Sequence, residues 1–301
     1  MSELAEKEKT AIERLKAFEP EDEPYYLCYS GGKDSDAIRI LAQLAGVKHE
    51  IHHNLTTVDA PETVRYVRET VGWECVDKPP LTMWQLIVKK KFPPTRLMRY
   101  CCSELKERGG KHRKKITGVR WAESAARKDR SALVQITGKP KANQALADEL
   151  GAEYSHNKFG ASIIMNDDND ASRRMAEMCY RTSSVIINPI IDWTDDDVWG
   201  FLHHYGCESN PLYQCGYSRI GCIGCPLGGP VSQKREFAQY PKYKAQYIRT
   251  FDKMLKAREE AGMETRGTWF SGEAVMKWWI GENPFQMTWD EYLEALEEAE
   301  E

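Results

Sequence analysis

The chain has 301 residues, of which 41% are hydrophobic and 29% charged, and its formal net charge is −4. This composition is typical of a globular protein with one large domain, or with one domain and a smaller appendage. No apolar run approaches the roughly 20 residues that span a bilayer, and the first residues are charged where a signal peptide would be apolar. We therefore expect a cytoplasmic protein without a membrane segment.

An amphipathic helix opens the chain. Its apolar side chains share one side of an otherwise charged segment, which ends before a proline- and acid-rich break. These apolar positions are Leu4, Ala11, Ile12, Leu15 and Phe18. We assign residues 1–23 to an N-terminal packing helix that takes no part in chemistry.

A glycine turn between a strand and a helix follows. A short apolar run stops at residue 30, and apolar residues resume at helical spacing after two glycines. Glycines let backbone N–H groups approach an anion, and a helix N-terminus adds donors and partial positive charge. Serine, glycine and aspartate are also ordinary turn residues, but the whole hexapeptide after the first strand favours nucleotide phosphate binding. The hexapeptide is Ser30, Gly31, Gly32, Lys33, Asp34 and Ser35.

Strands and helices then alternate. Strands are predicted at 49–55 and 74–77, with helices beginning near Asp59 and Thr82. This order predicts right-handed crossovers and an α/β fold with a mainly parallel sheet flanked by helices, with ligands at the carboxyl ends of the strands. His52 and His53 lie near such an end, although paired histidines are more often structural than catalytic.

A basic stretch covers residues 89–130, with fifteen Lys or Arg against four Asp or Glu. Such a stretch fits an anionic partner, either nucleotide phosphates or a nucleic acid. It equally fits a solvated face whose basic side chains extend over the fold. Both interpretations stay open at this level.

Two cysteine pairs predict a metal centre. The chain has nine cysteines and no export signal, so metal ligands or reduced thiols are better explanations than a disulfide framework. A Cys-x2-Cys loop and a distant Cys-Cys pair can form a sulfur shell for zinc or for an iron–sulfur cluster. Adjacent cysteines reach different irons of a cluster more easily than they share one zinc, which favours [4Fe–4S], while two unlinked sets of structural thiols are the alternative. The predicted ligands are Cys101, Cys102, Cys222 and Cys225, with Cys215 as a possible substitute.

A second anion-binding segment follows a predicted strand at 115–119. A glycine there would permit close backbone approach to a ligand, and arginine forks suit phosphate or sulfate oxygens. A surface junction with salt bridges is the alternative. The candidate residues are Gly118, Val119, Arg120, Glu123, Ser124 and Arg127. We predict that Lys33, Asp34 and Arg120 are the catalytic residues.

Residues 24–228 resemble a known family. The hexapeptide is similar to the pyrophosphate loop of the N-type ATP pyrophosphatases, and the two cysteine pairs resemble those of adenylyl-sulfate (APS) reductases. The 118–127 segment, residues 189–199 and Asn210-Pro-Leu-Tyr213 fit the same frame. The chain is thus identified as resembling the iron–sulfur branch of the 3′-phosphoadenylyl-sulfate (PAPS)/APS reductase-like family. That resemblance implies an adenine nucleotide α-hydrolase-like fold, a ligand that is ATP or an adenylyl-sulfate, a [4Fe–4S] cluster, and Mg²⁺ where ATP is cleaved.

Two departures from the family pattern redirect the expected function. Pro61-Glu62-Thr63 is present without the preceding Asp-Thr-Gly, and no cysteine follows Cys225, although the family's reductases carry a nucleophilic cysteine near the C-terminus. We therefore expect α–β cleavage of ATP and adenylylation in sulfur transfer or thiolation, with a sulfur or electron donor protein as partner. The alternatives are reduction of adenylyl-sulfate with an external thiol, and a nucleic-acid-binding module with a degenerate nucleotide site.

The remaining segments complete the domain prediction. Residues 24–230 form the nucleotide-binding domain, with an insertion around 131–184 that could cover the site. Residues 231–301 form a helical C-terminal region with a long helix at 234–261. Its aromatic residues Trp269, Phe270, Trp278 and Trp279 are predicted to be packing residues, with stacking on a base as the alternative.

Overall fold

The computed structural model describes residues 3–96, 98–123, 144, 152–157, 160–165, 176–179, 184–264 and 268–282. The chain forms two compact units. The sheet unit contains Met1–Leu55, Pro61–Lys78 and Lys106–Ile220, and the cysteine unit contains Thr56–Ala60, Pro79–Leu105 and Gly221–Glu301. The predicted domain boundaries at 23/24 and 230/231 stay predictions.

The sheet unit is built on a six-stranded sheet. The strands are β1 (Tyr25–Cys28), β2 (His49–Asn54), β3 (Val76–Asp77), β4 (Lys115–Ile116), β7 (Ala176–Cys179) and β8 (Ser184–Ile187). Their order is β3-β2-β1-β4-β8-β7, in which the first five are parallel and β7 is antiparallel to β8. Strands β5 (Ala152–Asn157) and β6 (Gly160–Met165) pair separately as an antiparallel hairpin. The predicted α/β fold with a mainly parallel sheet is confirmed.

Four helices of the sheet unit are described: α1 (Glu3–Ala17), α2 (Lys33–Ala45), α3 (Pro61–Val71) and α5 (Asp195–His204). Helix α2 ends at Gly46, whose φ of +69° is a left-handed conformation that glycine adopts at little cost. Helix α3 begins at Pro61, where the missing N–H costs nothing. Both helix ends follow from local sequence, and α3 begins two residues after the predicted start near Asp59.

The core of the sheet unit is apolar and continuous. Strand β1 is buried along most of its length, as expected for a central strand covered on both faces. Helix α1 contributes Ala11 and Leu15 to this core, and its buried Arg14 donates hydrogen bonds to the Pro189 carbonyl and to Asp192. The N-terminal helix is thus a packing element, as predicted.

The cysteine unit is helical where it is described. Its helices are α4 (Met83–Lys90), α6 (Gly229–Gln239), α7 (Pro241–Glu260) and α8 (Gly272–Trp279). The long helix predicted at 234–261 is interrupted at Tyr240, because Pro241 lacks the N–H that a continuous helix would use. Trp269 packs on Trp278 with ring centroids 4.9 Å apart, and Trp279 is buried, so these three tryptophans have the predicted packing role. The prediction is wrong for Phe270, which is 73% exposed.

Part of the basic stretch is engaged within the fold. Arg113 pairs with Glu50 at 2.7 Å and lies over the Tyr26 ring. Lys114 donates to the Phe18 carbonyl, and Lys115 is 5% exposed. These residues therefore support the structural interpretation for this part of the stretch. Among the described helices, none combines the length and the apolar character needed to cross a bilayer.

Candidate functional site

The glycine loop follows β1, the strand from which the sheet is built outward in both directions. The chain passes from β1 to β2 and β3 on one side and returns to β4 on the other, which makes the carboxyl end of β1 the topological switch point of the sheet. Gly31 has φ +74°, and a Cβ there would lie 2.8 Å from the Val67 side chain. Asn210, fully buried, donates to the Gly31 carbonyl and to Thr63. The loop therefore has one conformation, and only glycine fits at residue 31.

The two serines of the loop have different environments. The Ser35 hydroxyl accepts from the Gly32 N–H at 3.1 Å and donates to the Gly32 carbonyl at 2.7 Å, and Ser35 is 3% exposed. Ser30 is exposed and donates to Ser35 at 3.2 Å. Ser35 thus caps helix α2, and Ser30 is the loop hydroxyl that lies at the surface.

Four charged side chains form a network at the start of α2. Arg120 donates from Nε to Asp34 at 2.7 Å and from Nη2 to Asp195 at 2.6 Å, and its Nη1 donates to the Trp193 carbonyl at 3.1 Å. The Lys33 ammonium lies 3.3 Å from the same Asp195 oxygen. The structure thus brings together Lys33, Asp34 and Arg120, the three residues singled out for chemistry. It also shows that Arg120, 2% exposed, contacts protein carboxylates.

Asp195 is a site residue that the sequence analysis missed. It is the first residue of α5, after the capping residue Thr194, in a run of three aspartates within the segment 189–199 that resembles the family. Burial opposes ionisation of its carboxyl, but the hydrogen bond from Arg120 and the charge of Lys33 outweigh it, so the pKa of Asp195 is lowered. Asp195 is therefore a carboxylate at neutral pH, and an incoming phosphate would compete with it for Lys33 and Arg120.

Gly118 lies beside the first turn of α2. A Cβ on Gly118 would lie 2.9 Å from the Cβ and the carbonyl oxygen of Asp34. The close approach predicted for this glycine is thus to the backbone of α2. Strand β4 ends earlier than predicted, at Ile116, and half-buried Val119 connects Gly118 to Arg120.

Of the last three candidate residues in the segment 118–127, the structure describes only the backbone of one. Glu123 ends a 3₁₀ turn that begins at Trp121, and its side chain is not described. Ser124 and Arg127 lie outside the described residues. Their predicted roles stay predictions.

Tyr213 is a second residue of the site that sequence reasoning did not single out. Its hydroxyl accepts from the Lys33 backbone N–H at 2.9 Å, and the Lys33 ammonium lies 5.8 Å from its ring centroid. Burial raises the pKa of Tyr213, so the hydroxyl stays protonated. One of the N–H donors at the start of α2 is therefore held by a tyrosine oxygen.

A buried carboxyl lies behind the loop. Asp36 accepts from Tyr29 at 2.6 Å and from Tyr66 at 2.9 Å, and it is fully buried. Burial raises its pKa to about 6, although both tyrosine hydrogen bonds oppose that shift. Asp36 therefore titrates above the range of an ordinary aspartate.

The two histidines near the end of β2 make contacts within the sheet unit. His52 Nδ1 lies 2.8 Å from Asp77, and its ring stacks on Tyr26 at 3.9 Å. His53, 4% exposed, contacts the Tyr29 carbonyl through Nδ1 at 3.0 Å. These contacts are those of structural histidines.

The four predicted cysteine ligands all belong to the cysteine unit. Hydrogen bonding to Cys102, burial, and the negative charges of Cys102, Cys222 and Cys225 raise the pKa of the Cys101 thiol far above its ordinary value. Each cysteine is half-buried. Among the described residues, no three His, Cys, Asp or Glu side chains converge as ligands of a single metal ion. Cys215 is exposed and belongs to the sheet unit.

A profile of the phosphoadenosine phosphosulfate reductase domain family matches residues 24–227, more than half of the chain. The chain belongs to this family. It is 46% identical over 39 residues to the adenosine 5′-phosphosulfate reductase of Allochromatium vinosum, covering 13% of this chain and 15% of that protein. It is 33% identical over 87 residues to the enzyme of the same name from Burkholderia cepacia, covering 28% of this chain and 31% of that protein. The aligned segments thus span less than a third of either family relative.

Among solved structures, this family member is similar to a PAPS reductase from Candida auris in a phosphate complex. The TM-score is 0.42 at 15% identity, with 74% of this chain and 96% of that chain covered. An FMN adenylyltransferase from Candida glabrata, in complex with FAD and pyrophosphate, gives a TM-score of 0.41 at 12% identity, with 73% and 64% covered. The fold assignment therefore rests on the strand order of the sheet itself.

Replacing Gly118 with alanine is expected to destabilise the protein by about 1–3 kcal/mol, because the new methyl group would overlap the first turn of α2. Urea denaturation measures this loss. The matched control is Gly200→Ala in α5, where the added Cβ lies 3.4 Å from a Leu4 methyl group and alanine favours the helix. Equal stabilities of the two variants would contradict the assigned packing.

Asp36 is expected to make stability fall as pH rises from about 4 to 6. In that window the unfolded carboxyl is ionised while the folded one keeps its proton, so the folded state binds more protons, and the loss levels off above pH 6. The expected total is on the order of 3 kcal/mol. Urea denaturation across this range should show the slope in the wild type and in Asp196→Asn, an exposed control, and lose it in Asp36→Asn. A parallel pH profile for Asp36→Asn would overturn the assignment.

Proposed function

We propose that this chain is an adenine-nucleotide-dependent enzyme that cleaves ATP between the α and β phosphates and uses the adenylylated substrate in sulfur transfer or thiolation. The observation that carries the proposal is the glycine loop at the switch point of the sheet, with Lys33, Asp34, Arg120 and Asp195 joined beside it. Membership of the PAPS reductase domain family supports an adenine nucleotide as the ligand.

In this proposal the loop and Lys33 bind the phosphates. The exposed Ser30 hydroxyl and the backbone N–H groups at the start of α2 supply donors, and Lys33 supplies a full charge at the leaving pyrophosphate. Arg120 acts indirectly, because its guanidinium orients Asp34 and Asp195. Displacement of Asp195 by a phosphate would free positive charge where the ligand binds.

A magnesium ion fits this donor set. Mg²⁺ is commonly held by one or two carboxylates together with substrate phosphates and waters. Asp195, with 67% of its side chain exposed, offers a carboxylate at the surface of the network. It is the residue that would hold Mg²⁺ on a bound nucleotide.

The cysteine unit fits a [4Fe–4S] cluster. The negative charges of Cys102, Cys222 and Cys225 oppose ionisation of the half-buried Cys101 thiol, and a cationic centre would offset that opposition. The adjacent pair Cys101-Cys102 favours a cluster over one zinc, because neighbouring thiolates can reach different irons of a cluster. Cys101, Cys102, Cys222 and Cys225 would hold it, and when bound it would tune a nearby anion electrostatically or supply sulfur.

Reduction of an adenylyl-sulfate to sulfite is the second candidate, because the two family relatives named above are adenosine 5′-phosphosulfate reductases. It would require an external thiol, since no cysteine follows Cys225 in this sequence. Anaerobically purified protein incubated with ATP should release pyrophosphate under the first proposal. Sulfite release from adenylyl-sulfate without pyrophosphate release from ATP would replace it with the second.

Lys33→Ala is expected to weaken nucleotide binding at least tenfold, because it removes the loop's ammonium charge. At a nucleotide concentration of 100 times the wild-type Kd, ligand stabilises the wild type by about 2.7 kcal/mol and would stabilise this variant by about 1.4 kcal/mol. Thermal unfolding with and without ATP measures the difference. Lys9→Ala, a change of an exposed lysine on α1, is the control and should respond like the wild type. An unchanged ATP response in Lys33→Ala would remove the loop from the proposed site.

Cys222→Ser is expected to lose most of the bound iron, because serine is a poor replacement for a thiolate ligand. Iron and acid-labile sulfide in anaerobically purified protein measure the effect. Cys75→Ser, in the sheet unit, is the control and should keep its iron. The same measurement on Cys215→Ser decides whether Cys215 replaces a predicted ligand. Full iron content in serine variants of all four predicted ligands would disprove the cluster assignment.

A further inference from the structure

The loop between Cys222 and Cys225 is held by side chains that lie beyond the family match. That match ends at residue 227, whereas the side chains come from helices α6 and α7. Glu236 accepts from the Gly224 backbone N–H through Oε2 at 2.6 Å and from the Ser232 hydroxyl through Oε1 at 2.9 Å. A carboxylate thus binds the backbone between the two cysteines.

Two further side chains bind the carbonyl groups of the same loop. Gln233 donates to the Gly224 carbonyl at 3.1 Å, and Tyr247 donates to the Ile223 carbonyl at 3.1 Å. Gln233 is 2% exposed and Tyr247 is 1% exposed, so both bonds are made inside the unit. The Gly224 N–H and the Ile223 and Gly224 carbonyls therefore depend on α6 and α7 for these hydrogen bonds, while the Ile223 N–H donates to the Val58 carbonyl at 2.8 Å.

Gly224 itself admits no side chain. Its φ is +75°, and a Cβ there would lie 2.5 Å from the Phe237 ring. The ring and the carboxylate belong to adjacent residues of α6, so one helix fixes both the shape of the loop and the direction of its N–H group. The Gly224 N–H points to Glu236, which makes it unavailable as a donor to a cysteine sulfur.

Charge and hydrogen bonding at the sulfurs are the two main protein controls on the potential of an iron–sulfur cluster. Glu236 acts on both, because it adds a negative charge near the thiolates and withholds an N–H donor from them. Each effect disfavours the extra electron of the reduced cluster. Both effects therefore lower the reduction potential.

We propose that Glu236 is a positioning residue of the cysteine site, which holds the Cys222–Cys225 loop in its ligating shape and lowers the reduction potential of the cluster. The second part rests on the proposed function, since it requires the cluster. The first part concerns the protein alone.

Two substitutions separate these parts. Glu236→Gln keeps an acceptor for the Gly224 N–H and removes the charge, so iron content should stay unchanged while the reduction potential rises. An increase of about 59 mV corresponds to a tenfold higher ratio of reduced to oxidised cluster at a fixed potential for a one-electron couple. Glu236→Ala also releases the loop, so we expect its iron to be lost to a chelator at least threefold faster. In metal-free protein, Cys222 and Cys225 should then be alkylated at least threefold faster by iodoacetamide.

The control is Glu259, an exposed residue near the C-terminal end of α7, changed to the same two residues. Its variants should match the wild type in potential, iron release and alkylation. Wild-type potential in Glu236→Gln together with wild-type alkylation in Glu236→Ala would overturn the inference while leaving the cluster itself intact. A wild-type protein that binds no iron would instead refute the cluster, and the alkylation rates would still decide whether Glu236 holds the loop.

Discussion

The Arg120 guanidinium, buried between two carboxylates, is the interaction on which the sheet unit's site depends. It reaches Asp34 at the start of α2, Asp195 at the start of α5 and the Trp193 carbonyl between the sheet and α5. A buried guanidinium is tolerated only where such acceptors surround it, because an unpaired buried charge costs several kcal/mol. One side chain after β4 thereby fixes the start of two helices at the carboxyl end of the sheet.

The same network shapes how a phosphate could bind. The Lys33 ammonium pairs with Asp195, and the Lys33 backbone N–H donates to the Tyr213 hydroxyl. These are the two groups that the glycine loop would offer to an anion. Protein oxygens thus satisfy the positive groups of the site without a ligand. Binding then becomes an exchange of one set of oxygens for another, which favours ligands whose several phosphate oxygens replace all of these contacts together.

In the cysteine unit, the groups brought close together are negatively charged when ionised. The charges of Cys102, Cys222 and Cys225 oppose ionisation of the Cys101 thiol and raise its pKa, and the neighbouring helices supply hydrogen bonds to the loop backbone, including one to a carboxylate. The helices responsible, α6 and α7, lie after the residues that match the family, so the shape of the cysteine loop depends in part on residues outside that match.

The sequence by itself determined the parts of this protein that local physics controls. The glycine turn, the ends of α2 and α3 and the alternation that yields a parallel sheet follow from glycine and proline geometry and from apolar periodicity. The Cys-Cys and Cys-x2-Cys motifs also predict the four cysteine ligands, and this ligand set stays a prediction. The break between α6 and α7 at Pro241 could have been predicted from the same rules.

Only the tertiary structure decided which groups meet across long stretches of chain. Asp195 and Tyr213 are far from Lys33 in sequence, yet both contact it. The Arg120 guanidinium donates hydrogen bonds to two protein carboxylates. Glu236 accepts from a backbone N–H twelve residues earlier in the chain. None of these contacts leaves a periodic or compositional signal, because each depends on where separate elements are brought together by packing of the core. The sequence shows which residues can carry charge, and the fold decides which charges face one another.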